Sequence, residues 1–216
     1  MKLFIDSANV EEIQKAASTG LVDGVTTNPS LVAKSGQEFK QGLKRICDVI
    51  SGPVSAEVTA LDAPGMIEQG RSLAQIASNI VVKVPLTIEG LKATQAFSKD
   101  GIQTNVTLCF STNQAYLAAK SGATYVSPFI GRLDDIGQEG MDLIGDIRAV
   151  YDQYGYSTQI LAASIRHSEH VLQSLRYGAD VATMPYAVFE KLIHHPLTSS
   201  GLDRFLDDWK KSGLSL

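Results

Sequence analysis

Short apolar runs alternate with segments of helical spacing along the whole chain. Eight runs have the length and composition of strands: Leu3–Asp6, Gly24–Asn28, Val54–Val58, Ile80–Val84, Gln103–Leu108, Thr124–Ser127, Thr158–Ala163 and Asp180–Met184. Between them, Phe39, Leu43, Ile46 and Ile50 repeat at i, i+4, i+7 and i+11. Leu143, Ile147, Val150 and Tyr151 repeat at i, i+4, i+7 and i+8. Both are the one-sided stripe of an amphipathic helix. Asp62, with Pro64 close behind, predicts a helix start ahead of Met66, Ile67 and Leu73. Gly122 and Gly178 each follow a helical segment and precede a strand, as C-terminal stops do.

Strands that alternate with helices form a parallel sheet with right-handed crossovers. Eight such units in 216 residues leave 27 residues for each, with no long insertion, linker, repeat or low-complexity tract. This predicts a closed (β/α)8 barrel of the TIM type, one α/β domain over residues 1–216. An open doubly wound sheet is the competitor, but no G-x-G-x-x-G follows a strand and no Walker A sequence occurs. Leu202, Phe205, Leu206 and Trp209 predict an extra C-terminal helix over about residues 198–211, packed on its own barrel or on another subunit.

Composition narrows the partners. Nineteen Lys and Arg against 23 Asp and Glu give a net charge of −4, with 44% hydrophobic and 19% charged residues. A disordered chain is excluded by this balance. A nucleic-acid partner is not expected without a basic footprint. The N-terminal apolar run meets Asp6 after three residues, so no signal peptide is expected. No run approaches the roughly 18 residues of a membrane span. Cys47 and Cys109 lie far apart among apolar neighbours, which suits buried thiols in a reducing compartment. A cytoplasmic location is the expectation.

In a barrel of this type the site lies at the C-terminal ends of the strands. Residues two apart on a strand face the same way. Thr26 and Asn28, Ser55 and Glu57, Val81 and Lys83, and Gln103, Asn105 and Thr107 are such sets. Lys83 interrupts an apolar strand, Ile80-Val81-Val82-Lys83-Val84-Pro85. One reading is a lysine whose stem packs on apolar surface while its ammonium reaches water. The other is a free amine, since apolar surroundings disfavour the charged form, and a free amine attacks carbonyl carbon. Asp6 and Glu57 also end apolar strands and could move protons. Their bland readings are a cap for the helix near Asn9 and a paired buried carboxylate.

Arg132 and Arg166 follow the sixth and seventh strands, where barrels often bind phosphate, and Ser164 could add a hydroxyl. The alternative is a pair of surface arginines bonded to loop carbonyls or to Asp134 and Asp135. His167 and His170 lie three apart with only Glu169 near, which reads as a solvated pair rather than a zinc set. His194 and His195, before Pro196, read as a helix end. No metal and no cofactor is expected.

These residues resemble a known family. Phe4-Ile5-Asp6, Gly24-Val25-Thr26-Thr27-Asn28-Pro29-Ser30 and Val81-Val82-Lys83-Val84-Pro85 look like transaldolase. So do Thr104-Asn105-Val106-Thr107, Tyr125-Val126-Ser127-Pro128-Phe129-Ile130-Gly131-Arg132 and Leu161-Ala162-Ala163-Ser164-Ile165-Arg166. The short length is similar to the small-subunit subfamily, which includes fructose-6-phosphate aldolases.

The resemblance implies a Schiff base on Lys83, with Asp6 as general acid/base and a catalytic water held by Glu57 and Thr107. It implies Asn28, Asn105 and Ser127 on the dihydroxyacetone hydroxyls, Thr26 near Lys83, and Arg132, Ser164 and Arg166 on the sugar phosphate. The expected reaction moves a dihydroxyacetone unit from sedoheptulose 7-phosphate to glyceraldehyde 3-phosphate, giving erythrose 4-phosphate and fructose 6-phosphate, in the pentose phosphate pathway. Fructose-6-phosphate aldolase, releasing free dihydroxyacetone, is the enzymatic alternative. Those enzymes resemble each other in having Gln at the position of Glu57 and Tyr at the position of Phe129, so both residues here favour transfer. A barrel that only binds sugar phosphate is the non-enzymatic alternative. The resemblance also implies a homo-oligomer, a pentamer or decamer.

Overall fold

Each predicted strand run is buried on both faces, the condition of a parallel sheet wrapped in helices. The computed structural model describes residues 1–35 and 39–214. It contains a closed, all-parallel barrel: β1 (Lys2–Asp6), β2 (Gly24–Thr26), β3 (Val54–Glu57), β4 (Ile80–Pro85), β5 (Thr104–Cys109), β6 (Tyr125–Pro128), β7 (Gln159–Ala162) and β8 (Val181–Met184). The strands pair in chain order and β8 closes on β1, as Lys2 faces Val181 and Ile5 faces Met184. This is the expected (β/α)8 barrel.

Helices surround it: α1 (Val10–Ala17), α2 (Pro29–Ser35), α3 (Phe39–Val49), α4 (Ala63–Ala74), α5 (Ile88–Lys99), α6 (Thr112–Lys120), α7 (Ile130–Asp134), α8 (Gly140–Tyr154), α9 (Ser168–Arg176), α10 (Tyr186–Ile193) and α11 (Pro196–Ser212). Short polar side chains set the starts of α4 and α5. Asp62 accepts the N–H of Gly65 at 2.7 Å and Thr87 that of Gly90 at 3.0 Å. Gly122 and Gly178 take left-handed φ of 83° and 79° after α6 and α9, as the stop signals predict. The stripes also land inward. Leu43, Ile46, Ile147 and Tyr151 are buried in the shell between barrel and helices, and Ile50 packs there just past the end of α3.

Two helices differ from one-per-unit spacing. α2 and α3 both lie between β2 and β3, and the five-residue α7 precedes α8. The strand β2 stops at Thr26, short of Asn28, because the Asn28 side chain turns the chain into α2 by accepting the N–H of Leu31 at 3.0 Å. Gln103 falls before β5 and is exposed, so it does not share the mouth with Asn105 and Thr107.

The final helix, α11, spans Pro196–Ser212 and buries none of its residues. Leu202, Phe205, Leu206 and Trp209 are all exposed, so the apolar stripe is not satisfied by its own barrel. His194 ends α10, whereas His195 starts α11 by accepting the N–H of Leu197 at 3.2 Å. Among the described residues no helix is long and apolar enough to cross a membrane. Cys47 and Cys109 are buried and unpaired, and burial pushes their thiols up to about 11 and about 12.

Candidate active site

The barrel interior is built in layers. Phe4, Val81, Tyr125, Leu161 and Val181 form a buried apolar cluster, with Phe4 and Tyr125 edge to face at 6.3 Å. Gly24 makes room for it, since a Cβ there would come within 2.7 Å of the Phe4 ring and the Pro53 carbonyl. Two residues further along these strands stand Asp6, Thr26, Lys83, Ser127, Ala163 and Thr183, which line a cavity of about 200 Å³. Asn28, Asn105, Phe129, Arg132, Ser164 and Arg166 complete its wall. Ten of the twelve predicted site residues thus meet at one place. Glu57 joins them through Lys83, and Thr107 lies at the end of β5 beside Pro85 of β4.

Lys83 is only 5% exposed, and it is not surrounded by apolar groups alone. Its Nζ lies 3.1 Å from Glu57 Oε2 and donates to the Thr27 carbonyl at 3.1 Å. The sheet register makes this pair, because Glu57 faces Lys83 across β3 and β4 and Asn105 faces it from β5. Glu57 is therefore a paired carboxylate whose partner is the candidate nucleophile. A buried ammonium beside a carboxylate has an immediate acceptor for the proton it must lose before attacking a carbonyl.

Asp6 does not cap α1; Asn9 does, accepting the N–H of Glu11 at 2.9 Å. Asp6 instead accepts the Thr26 hydroxyl at 2.7 Å, and Thr26 in turn is 2.7 Å from the Thr183 hydroxyl. Since Thr26 gives its proton to Asp6, Thr183 must be the donor to Thr26. Burial pushes the Asp6 carboxyl above its ordinary value, offset in part by the Thr26 hydrogen bond and the charge of Lys83. A carboxyl raised in this way suits general acid/base work near neutrality.

A second chain of hydrogen bonds fixes Asn105. Ser127 donates to Asn105 Oδ1 at 2.6 Å, and Asn105 Nδ2 donates to Ser55 Oγ at 3.1 Å. The Thr107 hydroxyl is buried and has no hydrogen-bond partner among the described residues. Next to it β5 is irregular, with a register shift between Val106 and Cys109 and Leu108 at φ 62°.

The two arginines differ. Arg132 on α7 lies over the Phe129 ring, 5.3 Å from its centroid. Arg166 is paired with Asp135 at 2.7 Å, as the surface ion-pair alternative expects. Both are exposed at the cavity mouth. Ser164, between them, adopts φ 60°, a left-handed conformation rare for serine. His170 corrects the solvated-pair reading: it is buried, its ring 3.8 Å from that of His167 and its Nε2 3.1 Å from Asp134. Among the described residues no three His, Cys, Asp or Glu side chains gather as a metal set.

Thr183 and the Thr27 carbonyl belong to the site but were not among its predicted residues, whereas Ser55, expected on the same face as Glu57, accepts from Asn105. Thr183 had a usable signal, since it stands two residues above Val181 on an apolar strand, the spacing that singled out Lys83 above Val81. The Thr27 carbonyl had none, because backbone contacts leave no trace in residue identity.

The model of one family, described as transaldolase/fructose-6-phosphate aldolase, matches residues 3–216. A "Probable transaldolase" of Maricaulis maris is 60% identical over the full length of both chains. One of Parvibaculum lavamentivorans is 61% identical over 99% of this chain and 98% of its own. Another, of Leptospira biflexa, is 59% identical over 98% and 99%. The carboxyl transferase domain of Rhizobium etli pyruvate carboxylase superposes with a TM-score of 0.64 over 86% of this chain and 39% of its own, at 13% identity, a likeness of fold alone. With a family match from the first strand to the last residue and relatives of this identity end to end, the chain belongs to the transaldolase/fructose-6-phosphate aldolase family.

Proposed function

We propose that this chain is a transaldolase that carries a dihydroxyacetone unit from sedoheptulose 7-phosphate to glyceraldehyde 3-phosphate on Lys83, without metal or organic cofactor. The observation that carries the reading is the buried Lys83 amine, 3.1 Å from the Glu57 carboxylate, in the same cavity as Asp6. Lys83 Nζ attacks the ketose carbonyl, and loss of water from the carbinolamine leaves an iminium. Asp6 takes the proton of the C4 hydroxyl. The C3–C4 bond breaks, its electron pair moves into the iminium to give an enamine, and the first aldose leaves as an aldehyde. The enamine attacks the second aldehyde, Asp6 returns the proton to the new hydroxyl, and hydrolysis frees the ketose and Lys83. The buried Thr107 hydroxyl, without a partner among the described residues, suits a water that shuttles protons between it and Glu57 in the carbinolamine steps. Asn28, Asn105 and Ser127 hold the three-carbon unit, and Arg132, Ser164 and Arg166 grip the phosphate.

Transfer rather than release is favoured by Phe129, which brings no hydroxyl to the wall of the cavity. Transfer of the three-carbon unit to glyceraldehyde 3-phosphate should therefore outpace formation of free dihydroxyacetone from fructose 6-phosphate, and Phe129→Tyr should raise release relative to transfer. Release faster than transfer in the unaltered protein would assign it to the aldolases. No turnover with either donor would leave a sugar-phosphate-binding barrel.

The same reading includes a homo-oligomer, a pentamer or decamer, because the exposed stripe of α11 needs cover. Sedimentation of a chain truncated before Leu202 should show a smaller assembly, and an unchanged mass with intact fold would exclude that contact. Unpaired buried thiols suit the cytoplasm. A net charge of −4 gives nucleic acid no footprint.

A further inference from the structure

The two arginines read as phosphate ligands stand on separate segments: Arg132 on α7, Arg166 in the loop between β7 and α9. One buried side chain joins those segments. His170, in the first turn of α9, is 6% exposed. Its Nδ1 accepts the backbone N–H of Arg166 at 3.3 Å. Its Nε2 lies 3.1 Å from Asp134 Oδ2, at the end of α7. A backbone N–H can only donate, so Nδ1 carries no proton and Nε2–H donates to Asp134. The other Asp134 oxygen accepts the N–H of Gly140 at 2.9 Å, which anchors the carboxylate.

The same seam is closed by backbone. A Cβ on Gly131 would meet the Ser164 carbonyl at 2.2 Å and Arg166 Nε at 2.8 Å, so α7 and the Arg166 loop touch with no slack. The groups facing the imidazole favour its neutral form on balance: burial first, then His167, oppose protonation, as does Arg166, against Asp134, which favours it.

We propose that His170 is a positioning residue for phosphate recognition, its neutral imidazole fixing the spacing of Arg132 and Arg166 by bonding one nitrogen to each of their segments. This rests on the reading that those arginines bind the sugar phosphate. A histidine that only fills a gap between helices would support both kinds of acceptor equally.

The test compares kcat/KM for glyceraldehyde 3-phosphate and for glyceraldehyde in the full-length protein. In His170→Ala the preference for the phosphorylated acceptor should fall about 10- to 100-fold, the scale of a small misplacement of binding groups, and chiefly through KM. His170→Asn keeps an acceptor for the Arg166 N–H, and His170→Gln keeps a donor to Asp134. Each should lose less preference than His170→Ala, and they remain informative if the alanine variant does not fold. Arg166→Ala is measured beside them. If it weakens the phosphorylated acceptor selectively while every folded His170 variant affects both acceptors alike, His170 is structural and the proposal fails alone. If Arg166→Ala itself shows no selectivity, the phosphate reading fails and takes the proposal with it.

Discussion

Phe4, Val81, Tyr125, Leu161 and Val181 fill the floor of the barrel, and two residues further along the same strands stand Asp6, Lys83, Ser127, Ala163 and Thr183. The backbone is continuous from one layer to the next, yet the energetics reverse. Each floor side chain gains about 1.5–3 kcal/mol by leaving water. Each polar mouth group loses hydration and must be compensated by a partner. The partners are found within the layer: Thr183 to Thr26 to Asp6, Ser127 to Asn105 to Ser55, and Lys83 to Glu57 and Thr27. The floor is apolar and holds the strands in register. The mouth uses that register to bring together groups that would not otherwise stay buried.

The comparison can be broken by single substitutions of opposite expected sign. Asp6→Asn keeps the acceptor for Thr26 but removes the acid/base, and kcat for transfer should fall about 10²- to 10⁴-fold. Phe4→Ala, in the floor, should lower unfolding free energy by about 3–5 kcal/mol in denaturant titration. Molecules that remain folded should still form the imine. A smaller effect separates the layers by sign. The Asp6 carboxyl is raised by burial from its ordinary 3.8, so the folded state holds its proton more tightly than the unfolded chain does. The stability this contributes is full below pH 3.8 and is lost as pH rises through the folded-state value. Asp6→Asn should therefore be more stable than the unaltered protein at neutral pH, with the gain vanishing on acidification. A loss of stability at neutral pH would mean that the ionised Asp6 is a structural asset.

The layers also explain what could be read from the sequence. All eight strands were legible because each is buried on both faces and reads as a short apolar run. Lys83 and Asp6 were legible as polar interruptions of such runs. Which neighbours they pair with was not, since joining Glu57 to Lys83 depends on the β3–β4 register, which no local pattern specifies. α7 was too short, at five residues, to show a helical period. His170 looked solvated because the cover over it, Asp134, comes from the end of α7, 36 positions earlier in the chain. The final helix was legible to within two residues of its ends as Pro196–Ser212, while what packs against it was not.

Capture of the intermediate on Lys83 tests the account most directly. Borohydride added in the presence of fructose 6-phosphate should reduce the imine and leave a ketose fragment bound to the peptide containing Lys83. Lys83→Met, whose thioether cannot form an imine, should show neither the adduct nor turnover. An adduct mapped to another lysine, or full activity in Lys83→Met, would contradict the account.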